Sequence, residues 1–160
     1  MYLSEEIQKE QRVRNLNPFR YVLEIAAQYN GKIINYSGVG KGIGVDPKTV
    51  ASYYGDIFEQ FVFNEIKVIS SYKKNDYRIS FYHDENGIEV DFVVERPSKP
   101  LLFIEVKSSE SVNEDMTKNL RVVAKDFSDA EFQLWSRDRV AKILGKVLCL
   151  PWETGLQQFI

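Results

Sequence analysis

Gly87-Ile-Glu-Val-Asp-Phe-Val-Val94 and, after a short gap, Leu101-Leu-Phe-Ile-Glu-Val-Lys107 decide how this chain is read. Each is a run of strand-forming apolar residues interrupted by charge: Asp91 in the first, Glu105 and Lys107 in the second. Side chains alternate faces along an extended strand, so Leu101, Phe103, Glu105 and Lys107 share one face. A carboxylate and an ammonium therefore stand side by side on a strand whose other residues ask for burial. Buried charge is costly unless it is paired or bound to a metal ion. Neighbouring antiparallel strands run about 4.8 Å apart, close enough for Asp91 and Glu105 to share one divalent ion with Lys107 beside it. The residues leave open a second reading, a structural ion pair of Lys107 with Asp91 or Glu105.

Working outward, Tyr77, Ile79 and Phe81 alternate with polar neighbours, and Asp84-Glu85-Asn86-Gly87 carries the Asn-Gly signal of a hairpin leading into Ile88, Val90, Phe92 and Val94. Upstream, Val50, Tyr53, Tyr54, Ile57, Phe58, Phe61, Val62, Ile66 and Ile69 recur at helical spacing to about Ser70, as one helix or as two meeting at Gly55. Downstream, Ser111-x-x-Glu114 reads as a capping box opening a helix that buries Met116, Leu120, Val123 and Phe127. Two strands, Glu131 to Trp135 and Lys146 to Leu150, close the pattern, with Pro151 ending the last. Helix, three strands, helix and two strands predict an α/β fold with a mixed sheet.

The N-terminal third is different. Phe19, Val22, Leu23, Ile25, Ala26 and Tyr29 predict a helix from Pro18 to Asn30, and Ile33-Ile34 forms a short apolar element. The glycine-rich Ser37-Gly-Val-Gly-Lys-Gly-Ile-Gly44 is not a phosphate loop: Asn35 stands where a Walker A motif needs its first Gly, and Gly42 where it needs Ser or Thr. A dinucleotide fingerprint fails as well, with Ile43 in place of the third Gly. The stretch reads instead as a turn between two helices, the second capped by Asp46 with Pro47 at its first position, which is the helix-turn-helix pattern.

Composition bounds the alternatives. The chain has 160 residues, 44% of them apolar and 28% charged, enough for a core without staples. Cys149 is the sole cysteine and His83 the sole histidine, so neither an internal disulfide nor a Cys/His zinc site exists, and a reducing, cytoplasmic location is expected. The opening residues lack the apolar core of a leader, and Val147 to Trp152 is far too short to span a bilayer, so no membrane association is expected. Residues 12–48 carry six basic and two acidic residues, net +4, on a body whose residues 49–160 sum to −4. Arg12, Arg14, Lys41 and Lys48 are the candidate phosphate contacts, against the alternative of an unevenly charged solvated surface. His83 is open to a general-base or a plain surface role, and Cys149 reads as a buried, inert thiol. Tyr53, Tyr54, Trp135 and Trp152 are open to base stacking or to core packing.

Asp91-x13-Glu105-x-Lys107, spread over a hairpin and a third strand behind a charged helix, resembles the PD-(D/E)XK nuclease superfamily. The resemblance implies a restriction-endonuclease-like αβββαβ core with a mixed sheet, preceded by a small helical, helix-turn-helix-like segment. It implies Asp91 and Glu105 as ligands of Mg or Mn, helped by the Val106 carbonyl, and Lys107 as the group that assists the nucleophile. Gly55-x-x-Phe58-Glu59 is similar to the helix opening whose Glu completes such sites; Glu59 is equally open to being a helix-surface carboxylate, and Glu65 is a lesser candidate. More narrowly, Gly-x-x-Phe-Glu-x-x-Val-x-x-Glu (55–65), Gly-Ile-Glu-Val-Asp-Phe-Val-Val (87–94), Phe-Ile-Glu-Val-Lys-Ser-Ser (103–109) and Leu-Pro-Trp (150–152) resemble the nuclease-like C-terminal domain of a large group of prokaryotic P-loop ATPases. There a helix-turn-helix precedes the nuclease-like part, and Gly44 to Val50 resembles its turn and second helix. This chain departs in two ways: it holds no Walker A loop, and Tyr54 abuts Gly55 where the group has a further segment. The expectation is a helical segment over 1–54, a nuclease-like domain over 55–160, and metal-dependent hydrolysis of DNA phosphodiesters. The alternative is an inactive nuclease-fold module binding DNA or a protein. DNA is the implied partner, and a homodimer is compatible with the resemblance.

Overall fold

Asp46 starts the longest element. Its carboxylate accepts the Lys48 amide at 2.7 Å and its carbonyl the Thr49 amide, Pro47 takes the first helical turn, and a single helix runs from Pro47 to Tyr72 without breaking at Gly55. The computed structural model of the chain describes residues 16–29, 35–73 and 76–160. In order, the elements are α1 (Leu16–Tyr29), α2 (Tyr36–Ile43), α3 (Pro47–Tyr72), β1 (Arg78–His83), β2 (Glu89–Glu95), β3 (Leu102–Lys107), a 3-10 turn (Glu114–Thr117), α4 (Lys118–Val123), β4 (Glu131–Ser136), β5 (Lys142–Leu144), β6 (Val147–Pro151) and α5 (Trp152–Gln157). They fall into two compact units, Met1–Ile57 and Phe58–Ile160.

In the first unit, Phe19, Val22, Val50 and Tyr53 form a small core joined by Tyr36, Val39, Ile43, Val45 and Ile57. Here the structure corrects the reading of the glycine-rich stretch as a turn: Tyr36–Ile43 is a helix, capped by the Asn35 side chain on the Gly38 amide at 2.9 Å. The turn is confined to Gly44, Val45 and Asp46, and Gly44 supplies the left-handed conformation (φ 70°) that ends α2. Helix, short turn and helix do follow one another here, with α2 as the first member. The apolar pair Ile33-Ile34 and the basic residues Arg12 and Arg14 lie outside the described residues.

The second unit is built on a six-stranded mixed sheet in the order β1-β2-β3-β4-β6-β5. β1, β2 and β3 are antiparallel neighbours, β3, β4 and β6 are parallel, and β5 returns antiparallel to β6. One face carries Phe92, Val94, Leu102, Ile104, Val106, Trp135 and Leu150 against Phe58, Val62 and Ile66 of α3 and Leu156 of α5. The other carries Val90, Val93, Phe103, Phe132, Leu134, Val147 and Cys149 against Leu120, Val123 and Ala124 from α4 and its end. β3 is thus covered on both faces, which is why it reads as a nearly unbroken apolar run. The mixed α/β architecture with a helical segment before it is the one expected.

Three local expectations change. The capping box at Ser111 is not used: Asn113 caps the 3-10 turn through the Met116 amide, and α4 is one short helix ending at Val123. β5 and α5 are additional elements. The even alternation of the hairpin is broken as well. Between the pairs Ser80↔Val93 and Tyr82↔Val90, one β1 residue, Phe81, faces two β2 residues, Asp91 and Phe92. This is a β-bulge. It puts Val90 on the α4 face while Phe92 and Val94 stay on the α3 face, and leaves Phe81 77% exposed.

Candidate active site

The bulge residue Asp91 makes the site. β2 and β3 are paired at Val94↔Leu102, Val93↔Phe103 and Phe92↔Ile104, and the ladder stops there. One step on, the Asp91 carboxylate accepts the Val106 amide at 2.7 Å, a side chain taking the hydrogen bond that backbone pairing supplies elsewhere. The two strands fork at this point while β3 continues alongside β4 to Lys107↔Ser136. Glu105 and Lys107 project at the fork.

Glu105 is buried, its side chain 7% exposed. Its Oε1 accepts from Lys107 Nζ at 2.5 Å, and its Oε2 is buried without a well-formed hydrogen bond. Burial, and after it the charge of Asp91, pushes the Glu105 carboxyl up to about 7 against the pull of Lys107 and the smaller pull of the Asp91 backbone amide. Burial alone would lower Lys107; Glu105 outweighs it, with Asp91 and Glu59 adding to the same effect, so the ammonium is held above its ordinary range. Three carboxylates therefore act on one lysine: Glu105 by direct contact, Asp91 from the fork and Glu59 from α3.

Of the residues singled out in the sequence, Asp91, Glu105, Val106 and Lys107 are brought together, with Glu59 within electrostatic reach of Lys107. The ion-pair alternative is realised between Lys107 and Glu105. Val106 is buried, and its amide is the group Asp91 engages. Lys41 and Lys48 are exposed in the other unit. His83 pairs with Glu89 at 3.5 Å on the surface, and Cys149 is a buried thiol raised chiefly by that burial. Trp135 is wholly buried and Tyr53 belongs to a core, so neither offers a stacking face.

Sequence reasoning missed the polar clamp behind the site. Asp138 is buried; its carboxylate accepts the Val112 and Val140 amides, both at 3.0 Å, and pairs with Lys142 at 2.7 Å. Arg137 joins Glu110 at 2.9 Å and donates its amide to the Ser109 carbonyl. Together they tie residues 108–113, the segment leaving Lys107, to the end of β4. The Lys142 hydrogen bond and then the two amides hold the Asp138 carboxyl down at about 2, so it stays ionised. Its signal was Ser136-x-Asp138 after a strand, the pattern of a side chain closing its own turn.

Chemically, two carboxylates, one of them with a buried oxygen that lacks a well-formed hydrogen bond, suit magnesium or manganese, which take one or two protein carboxylates and otherwise keep water. Among the described residues no group of three or more His, Cys, Asp or Glu side chains is placed to hold an ion. No helix among them is long and apolar enough to cross a membrane.

Comparison with known proteins gives two family matches. A family described as "Domain of unknown function (DUF4143)" matches residues 54–154, and one described as "Domain of unknown function (DUF8612)" matches residues 1–80. No curated protein matches by sequence. Among solved structures, a chain from a Thermococcus gammatolerans assembly of McrB AAA+ hexamers with bound McrC is similar at TM-score 0.44 and 10% identity. That likeness covers 86% of this chain, which spans 46% of the other chain's length.

Proposed function

We propose, for a chain that belongs to the DUF4143 family over residues 54–154 and to the DUF8612 family over residues 1–80, that the β2/β3 fork is the centre of a metal-dependent phosphodiesterase acting on DNA. The observation that carries this reading is Glu105: a buried carboxylate, raised by burial and by the charge of Asp91, with one oxygen on Lys107 and the other without a well-formed hydrogen bond. A polar atom left so in a stable core costs roughly 1–3 kcal/mol, and such strain is characteristic of sites that meet their partner only on binding. Asp91, Glu105 and the Val106 carbonyl would hold magnesium or manganese. When bound, such an ion polarises a phosphate and lowers the pKa of water. Lys107 contributes a fixed positive charge for the oxyanion that develops at phosphorus, and Glu105 sets where that charge stands. Glu59 adds negative charge on the α3 side and, after Glu105 and Asp91, contributes to raising Lys107. The expected homology to nuclease-like domains attached to ATPases is part of this proposal.

Titration of Mn2+ into wild type and Asp91→Asn, with plasmid nicking scored in the same buffers, tests it. Wild type should bind and nick, and the variant should do neither. Undiminished nicking by Asp91→Asn sinks the assignment.

A second reading is a nuclease fold without catalysis that binds DNA or a protein. It is favoured by the direct Lys107–Glu105 pair, which neutralises the site internally, and by the lack of a third ligating side chain among the described residues. It predicts DNA binding that persists in chelator and weakens with charge reversal at Arg12, Arg14, Lys41 or Lys48.

A further inference from the structure

β1 is the terminal strand of the sheet, so half of its backbone N–H and C=O groups point away from β2 and have no strand to pair with among the described residues. Stable proteins blunt such edges with brevity, charge (Lys above all), Pro or a β-bulge. The opposite edge follows this rule: β5 has three residues and opens with Lys142. β1 follows it only in part: it opens with Arg78 and stands against the β2 bulge, but it has six residues, Arg-Ile-Ser-Phe-Tyr-His, with neither Lys nor Pro, and presents Phe81 at 77% exposure.

We propose that β1 pairs with β1 of a second copy of this chain, antiparallel across a twofold axis at Phe81, to form one continuous sheet. Charge complementarity selects the partner and the register. With Phe81 opposite Phe81, Ser80 faces Tyr82, Ile79 faces His83, and Arg78 faces Asp84 at both ends. Opposed residues of an antiparallel pair must share a face, so the permitted registers differ by whole two-residue steps. The neighbouring registers set Arg78 opposite Tyr82 or Asn86 and lose both ion pairs. Asp84 is already fixed: its carboxylate accepts the Asn86 and Ile88 amides at 2.9 and 2.8 Å, and these, the Ile88 bond foremost, hold it below the usual carboxylate range. The self-pairing also covers Phe81 with its own copy, the aromatic cross-strand pair that stabilises sheets.

The pairing does not rest on the hydrolase reading, but has a consequence for it. Phe81 faces the bulge that contains Asp91, so the strand order across the axis is β2-β1-β1-β2. The two Asp91 positions then lie three strand spacings apart, about 14 Å. On the hydrolase reading, two forks at that separation address two phosphates of one nucleic acid.

Sedimentation equilibrium of the full chain without added metal tests the proposal. Wild type should show twice the 18.6 kDa chain mass. Phe81→Lys should weaken the dimer at least tenfold with an unchanged far-ultraviolet spectrum. In a Cys149→Ala background, Phe81→Cys should cross-link chain to chain on oxidation, whereas Tyr72→Cys, at the still more exposed 88% position, should not. A monomeric wild type, a Phe81→Lys dimer of undiminished affinity, or equal cross-linking at 72 and 81 overturns it. The cysteine comparison decides the matter if Phe81→Lys misfolds. Because no metal is present, failure here leaves the hydrolase reading standing, and failure to bind Mn2+ leaves the pairing standing.

Discussion

Glu105→Gln should make the protein more stable relative to wild type as pH rises. The folded-state carboxyl titrates at about 7 against an ordinary value of 4.5, so the folded protein binds a proton more tightly than the unfolded chain between those pH values. A group raised in this way contributes stability in full below 4.5 and loses it as pH climbs through about 7. The full excursion of about 2.5 pH units corresponds to about 3 kcal/mol, and with its side chain only 7% exposed Glu105 needs little discount for solvent screening. Lys107 is raised as well, but its contribution fades only at pH above 10.5, outside this window. The assay is urea unfolding of wild type and Glu105→Gln from pH 4.5 to pH 8. Their difference should swing by about 3 kcal/mol in favour of the variant. Groups remote from Glu105 are common to both proteins and cancel. Parallel stability curves would mean that Glu105 is solvated or fully compensated by Lys107, and the reasoning that makes it a functional carboxylate would fail.

Other outcomes follow from the same geometry. Mn2+ should raise the melting temperature of wild type more at pH 8 than at pH 5, because binding favours ionised Glu105; an equal shift at both pH values counts against metal at the fork. Asp91→Asn keeps an acceptor for the Val106 amide, so its stability should change by less than about 1 kcal/mol, whereas Asp91→Ala leaves that buried amide unsatisfied and should cost roughly 1–3 kcal/mol in denaturant unfolding. Gly155→Ala should be among the worst single methyl additions, since a Cβ there would lie 2.3 Å from Cε2 of the buried Trp135. A loss of about 3 kcal/mol is expected, read as a lower urea midpoint, and a neutral effect would show that α5 shifts freely.

Much of this was legible in the residues, and the failures have physical causes. β3 and the Asn-Gly hairpin were readable because burial on both faces and turn chemistry leave local marks. α2 was not. Three of the eight residues in Tyr-Ser-Gly-Val-Gly-Lys-Gly-Ile are glycine, each costing about 1 kcal/mol in a helix, so local propensity argues for a turn. Packing overrides it: Tyr36, Val39 and Ile43 recur at helical spacing and reach the core of Phe19, Val22, Val50 and Tyr53. Gly40 has a reason to be glycine in that helix, since a Cβ would meet the Val45 carbonyl at 2.6 Å. β5, at three residues, and α5, at six, are too short to show a period at all.

The site shows the same limit in a sharper form. Charges at 91, 105 and 107 within apolar strands mark the place, because burial makes them anomalous wherever the strands go. How the place is built does not show, since alternation assigns Asp91 to a regular strand facing the same way as Val93. The bulge that breaks this alternation is invisible in composition and is the feature that matters. It frees Asp91 from the ladder, turns its carboxylate onto the Val106 amide, and so forces β2 away from β3 where Glu105 and Lys107 emerge. Removing it follows from deleting one β2 residue: Δ91 or Δ92 should restore a regular Phe81 pairing and extend the β2–β3 ladder past Ile104. Of the two, Δ92 keeps the Asp91 side chain while moving it into the α3-face position that Phe92 fills, and is the informative one. A fold that survives Δ92, with new slow-exchanging amides at 105–106 and no Mn2+ binding, would show that the cleft comes from the irregularity and not from the carboxylates alone; retained Mn2+ binding in such a regular sheet would refute that account.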